Sequence, residues 1–116
     1  MAADLPNLFD NLPLAPELAE RFDDLLRAPG VRIERIVSTG QAGAPGSWQC
    51  QSWDEWIMLV EGGARLIFEG GEERVLARGD HLLIPAGQRH RVSFTDPACS
   101  TIWLAVHLGE PEGSIG

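Results

Sequence analysis

From Val31 to Leu108 the chain is a succession of short alternating segments cut by glycine. This pattern constrains the fold more than any other feature of the sequence. VRIERIVS (31–38) sets Val31 and Ile33 against Arg32 and Glu34, then shifts phase around Arg35 and Ile36. A Gly/Ala/Pro loop, TGQAGAPGS (39–47), leads into WQCQ and then EWIMLVEG, which ends at Gly62-Gly63. ARLIFEGGEERVLARGD continues the pattern, with Gly70-Gly71 as a hairpin turn. HLLIP (81–85) reads as a buried strand closed by Pro85, and HRVSFTD (90–96) puts His90, Val92 and Phe94 on one side. CSTIWLAVHL (99–108) is the last long strand. A period of two marks strands whose side chains alternate between faces. Many short strands joined by glycine turns predict an all-β fold, an antiparallel sandwich or barrel.

The N-terminal thirty residues differ. Residues 1–15 are rich in Leu, Pro and Asn and read as an arm packed across the domain. PELAERFDDLLRAPG then carries Pro16 and Glu17 in the right places for a first helical turn. Leu18, Phe22, Leu25 and Leu26 form an apolar stripe, and Ala28-Pro29-Gly30 stops it. The expectation is one short amphipathic helix. The chain of 116 residues is thus expected to be one domain. It divides into an arm and helix over 1–30, a barrel over 31–108 and a frayed tail over 109–116.

Charge narrows the partners. The formal net charge is −8, carried against nine arginines and no lysine. Such a balance argues against nucleic acid and against an anionic membrane surface. No apolar run reaches the ~20 residues that span a bilayer. The start, MAADLPNLFDN, has no basic patch followed by an apolar block, which points to the cytoplasm. Cys50 and Cys99 are then expected as free thiols. Arg89 and Arg91 bracket His90 and either meet a small anionic ligand or sit solvated at a rim.

Inside SWQCQSWDEWIMLVEGG, Gln49, Gln51 and Glu55 share one parity, so an extended chain aims all three at one face. Their spacing continues outward. Gly43 lies six residues before Gln49, and Gly62 lies seven after Glu55. Further on, Gly79, Pro85, Gly87 and His90 repeat a second fixed spacing. Together these resemble the two signature motifs of the cupin superfamily, G-x5-H-x-H-x3,4-E-x6-G and G-x5-P-x-G-x2-H-x3-N. The match departs at three positions: Gln49 and Gln51 stand where the motif has histidines, and Phe94 where it has asparagine.

The resemblance implies a small antiparallel cupin β-barrel, jelly-roll-like, as a homodimer. It also implies a divalent metal (Zn, Fe, Mn or Ni) on Gln51, Glu55 and His90. A glutamine offers only a neutral carbonyl oxygen, so such a site binds less tightly than one built of imidazoles. Glu55 and His90 are then the catalytic candidates, for isomerase, lyase or dioxygenase chemistry on a small oxygenated molecule. Gln49, Trp53 and Arg89 are the substrate-binding candidates. The other reading is a non-catalytic ligand-binding barrel with a vestigial metal site.

His107 depends on which face of its strand turns inward. With Ile102, Leu104 and Val106 inside it points away from the barrel; with the other face inside it joins His90 as a ligand. Trp48 and Trp56 have the parity opposite to the glutamines and read as outward residues that a partner subunit covers. Trp53, in the turn before Glu55, reads as a residue of the pocket mouth.

Overall fold

The computed structural model describes residues 4–111. Eight strands form two antiparallel sheets: β1 (Arg21–Ala28), β2 (Val31–Ser38), β3 (Asp54–Glu61), β4 (Ala64–Phe68), β5 (Glu73–Leu76), β6 (His81–Ile84), β7 (His90–Thr95) and β8 (Thr101–Leu108). The larger sheet runs β1-β2-β8-β3-β6 and the smaller β5-β4-β7. Ile57, Leu59, Leu66, Leu76, Ile84, Trp103 and Ala105 fill the space between them. Among the described residues no helix is long and apolar enough to cross a membrane.

The helix expected after Pro16 is absent. Its residues supply β1 instead, which pairs along β2 from Arg21–Val37 to Ala28–Val31 with a bulge between Asp24 and Leu26. The ladder satisfies the backbone, and two ion pairs fix the register: Asp23 with Arg35 at 2.7 Å and Asp24 with Arg32 at 3.3 Å. Phe and Asp are weak helix formers, and tertiary pairing overrides so small a preference. The 31–108 barrel therefore extends back to Arg21. Just after β8, Glu110 is held by the buried Arg32 at 2.8 Å; residues 112–116 lie outside the described region.

Two further differences are matters of face. The segment HLLIP is buried only at Ile84, with Leu83 exposed; the exposed His81 pairs across to Met58 and lies against the Trp56 ring with centroids 5.5 Å apart. In β7 the pairs Leu66–Val92 and Arg65–Phe94 skip Ser93. That bulge turns Phe94 outward under the Arg65 guanidinium, 5.3 Å from the ring centroid, and brings Thr95 in.

Gly62 explains why its turn takes no side chain. Its φ is 93°, and a Cβ there would lie 2.7 Å from the Thr101 Cα.

Candidate functional site

The site is assembled by cross-strand register. β3 pairs with β8 so that Glu55 stands opposite His107, Ile57 opposite Ala105 and Leu59 opposite Trp103. Opposed residues share a face. Leu59, Ala105 and Trp103 belong to the core, so Glu55 and His107 point inward as well. The aliphatic set Ile102, Leu104 and Val106 lies on the other face of β8. β2 adds Arg32, Glu34, Ile36 and Ser38 to the inward side through its ladder with β8.

The loop before β3 is laced to β7 by main-chain groups. Gly43 N–H donates to Val92 O at 2.8 Å, Gln49 N–H to His90 O at 2.8 Å and His90 N–H to Gln49 O at 2.9 Å. Gly87 N–H donates to Gln51 O at 2.8 Å. These bonds bring Gln49 beside His90 although they are far apart in sequence.

Two adjoining cavities result. One, of about 220 Å³, is lined by Glu20, Gln49, Glu55, His90, Arg91 and Trp103, with Gln41, Ser47 and apolar side chains completing the wall. The other, of about 430 Å³, is lined by Glu34, Gln51, Trp53, Glu55 and His107. Gln49, Glu55, Phe22 and Ile36 border both, so Glu55 sits at their junction.

The hydrogen bonds define the state of each group. Gln51 Nε2 donates to Glu55 Oε1 at 2.6 Å. His90, only 3% exposed, has Nδ1 at 2.9 Å from Gln88 O. A carbonyl only accepts, so the proton is on Nδ1, and Nε2 has no protein partner among the described residues. His107 has the opposite tautomer. The Trp53 indole N–H donates to its Nδ1 at 2.9 Å, which leaves the proton on Nε2 to be donated to Glu34 Oε1 at 3.0 Å. Glu34 in turn accepts from Arg32 at 2.8 Å.

The candidates from sequence thus separate. Gln49, Gln51, Trp53, Glu55, His90 and His107 all border the two cavities. Arg89 does not; it is half-exposed and pairs with Glu69 at 3.4 Å. Both ring nitrogens of His107 are engaged. Arg91 lines the smaller cavity, with its guanidinium 5.4 Å over the Trp48 ring and its Nε buried without a hydrogen-bond partner among the described residues. Glu34, Arg32 and Glu20 went unrecognised in the sequence. Charged residues at inward parity in VRIERIVS were the available signal for the first two. Cys50 and Cys99 are free and exposed. Burial and the neighbouring Asp96 push the Cys99 thiol up.

Among the described residues, no three His, Cys, Asp or Glu side chains come together as a group able to hold a metal. Glu55 keeps one free oxygen and His90 one free nitrogen. The Gln51 amide is turned to donate to Glu55, and His107 has no lone pair to spare. Two strong donors fall short of the three protein ligands of a usual catalytic metal site. The set present does not fit a firmly held divalent ion.

Comparison with known proteins accounts for the fold. No curated protein matches the chain. The crystal structure of a provisionally assigned mannose-6-phosphate isomerase from Ralstonia eutropha JMP134 superposes with a TM-score of 0.87 at 44% identity, over 93% of this chain and 100% of that one. A cupin superfamily protein from Desulfitobacterium hafniense DCB-2 gives a TM-score of 0.73 at 18% identity, over 95% of each chain. An RmlC-like cupin with a double-stranded β-helix fold from Methanocaldococcus jannaschii gives 0.66 at 15%, over 81% of this chain and 84% of that one. The cupin domain model matches residues 36–107, which contain both spaced motifs. With most of its length covered by that model, the chain belongs to the cupin family.

Proposed function

We propose that the protein binds a small oxygenated molecule inside its barrel and exchanges protons with it through Glu55 and His90, without a resident metal. One observation carries this reading: both side chains are buried and both border the smaller cavity. Each is anchored by one neutral hydrogen bond and keeps one polar atom without a protein partner. Anchoring on one side and freedom on the other suit a general acid or base. The unprotonated Nε2 of His90 accepts a proton from the ligand, and the free oxygen of Glu55 accepts or returns one. Proton transfer between neighbouring atoms is isomerase chemistry, the class to which the Ralstonia protein is provisionally assigned.

The metal implied by the family motifs is tested directly. Protein loaded separately with Zn²⁺, Mn²⁺, Fe²⁺ or Ni²⁺ and then desalted should retain well under one ion per chain. Stoichiometric metal that disappears in Glu55→Ala overturns the metal-free reading. A thermal-shift screen of small polyols, hydroxy acids and amines in the presence of chelator should yield a stabilising compound. That stabilisation should vanish in Glu55→Gln and in His90→Gln, with both variants still folded. A screen in which nothing stabilises the protein removes the ligand reading.

The proposal includes a homodimer. β1 is an edge strand that exposes Phe22, Leu25 and Leu26, and unpaired apolar edges are normally covered.

A further inference from the structure

We infer that, among small oxygenated molecules, the smaller cavity prefers those that also carry a cationic amine over oxyanions. The inference rests on the cavity being a ligand site, and it names the ligand class.

Gln41, Ser47, Gln49 and Arg91 bring donors to the lining of this cavity, but its two carboxylates outnumber its one arginine. Glu55 keeps one carboxylate oxygen free after the Gln51 bond. Glu20 also lines the cavity, and its described partner is neutral, the Ser38 hydroxyl. His90 adds a third acceptor. It is nearly fully buried, its Nδ1–H is spent on Gln88 O, and its Nε2 has no protein partner. Two carboxylates and an imidazole nitrogen ask for hydrogen-bond donors and positive charge.

One arginine, Arg91, faces that charge, and its Nε is buried without a hydrogen-bond partner among the described residues, so a single positive charge stands against two carboxylates. Arg32 is committed to Glu34 and Glu110. The Arg91 guanidinium is placed on Trp48, 5.4 Å from the ring, and at 3.4 Å from Gly43 O. Trp103 forms part of the wall, and an aromatic face favours a cation further. A phosphate or carboxylate placed here meets two like charges against the single arginine. The volume of about 220 Å³ corresponds to roughly seven waters, so the molecule is small.

The test uses three probes of matched length in chelator-containing buffer at pH 8: 1,3-diaminopropane, 1,3-propanediol and malonate. Binding is read from NMR titration of the backbone amides around Gln49, Glu55 and His90. The diamine should bind at least about tenfold more tightly than the diol, the scale of one charge-assisted hydrogen bond. Malonate should not shift these signals. Glu55→Gln and Glu20→Gln should each weaken the diamine by about tenfold, while Glu72→Gln, which removes the same charge from an exposed site, leaves it unchanged. If Glu55→Gln does not fold, Glu20→Gln decides. Diol or malonate binding as tightly as the diamine overturns the inference but leaves the cavity a ligand site. Diamine binding that is unaffected by both cavity variants is surface binding and also overturns it. Failure of all three probes overturns it as well, and the wider screen above then decides whether the cavity binds anything.

Discussion

His90 and His107 are both buried histidines, yet their hydrogen bonds leave them in opposite tautomers. Long-range ¹⁵N–¹H spectra of the imidazole rings should show the proton on Nδ1 in His90 and on Nε2 in His107; the reverse assignment refutes the partners described. Trp53→Phe keeps an aromatic side chain but loses the indole N–H and part of the ring system. It should cost at least about 1 kcal/mol, the net worth of one hydrogen bond, measured by urea unfolding. The sequence made Gln51, Glu55 and His90 legible, because motif spacing and strand parity depend only on local order. It left the inward face of β8 open, because that face is fixed by register with β3, a contact 52 residues away at Glu55–His107 (55 against 107). Glu34 and Arg32 went unseen for the same reason: their partners His107 and Glu110 lie at the other end of the chain.

At the scale of elements, β1 is the segment whose sequence misled most. Its apolar stripe fits a helix, yet the residues lie extended along β2 with Phe22, Leu25 and Leu26 largely uncovered. A helix would bury that stripe on its own domain; the edge strand splits it, with Phe22 at the cavities and Leu25 and Leu26 half-exposed, where the proposed dimer would cover them. Sedimentation of the purified protein should therefore give twice the 12.6 kDa chain mass. Replacing Leu25 and Leu26 by arginine should yield folded monomers. A monomeric wild type refutes the dimer. The strands from β2 onward were legible because the glycine turns bracket them. The bulge in β7 was not, since skipping Ser93 is decided by pairing with β4.

Across the whole molecule, Arg32 ties three parts of the chain together: β1 through Asp24, β2 through Glu34 and the segment after β8 through Glu110. Arg32→Met leaves buried carboxylates without their cation and should cost about 3–5 kcal/mol in chemical unfolding. Arg32 also holds the Glu110 carboxyl below its ordinary value, mainly by hydrogen bonding. A lowered folded-state value means that the unfolded chain takes up the proton first as pH falls. The contribution of Glu110 is thus complete above about pH 4.3, the ordinary glutamate value, and is lost as pH drops through the lowered one. Glu110→Gln should flatten acid unfolding in that range and leave the curve above it parallel to wild type.

The lacing between residues 43–51 and the β7 region is made by peptide groups, not by the glutamine side chains. The scaffold at 49 and 51 is therefore indifferent to what those two positions carry. Exchanging both for histidine should keep the barrel intact and raise its affinity for Ni²⁺ or Zn²⁺, visible as one retained ion per molecule. In such an architecture, a change of chemistry takes two substitutions and no rebuilding.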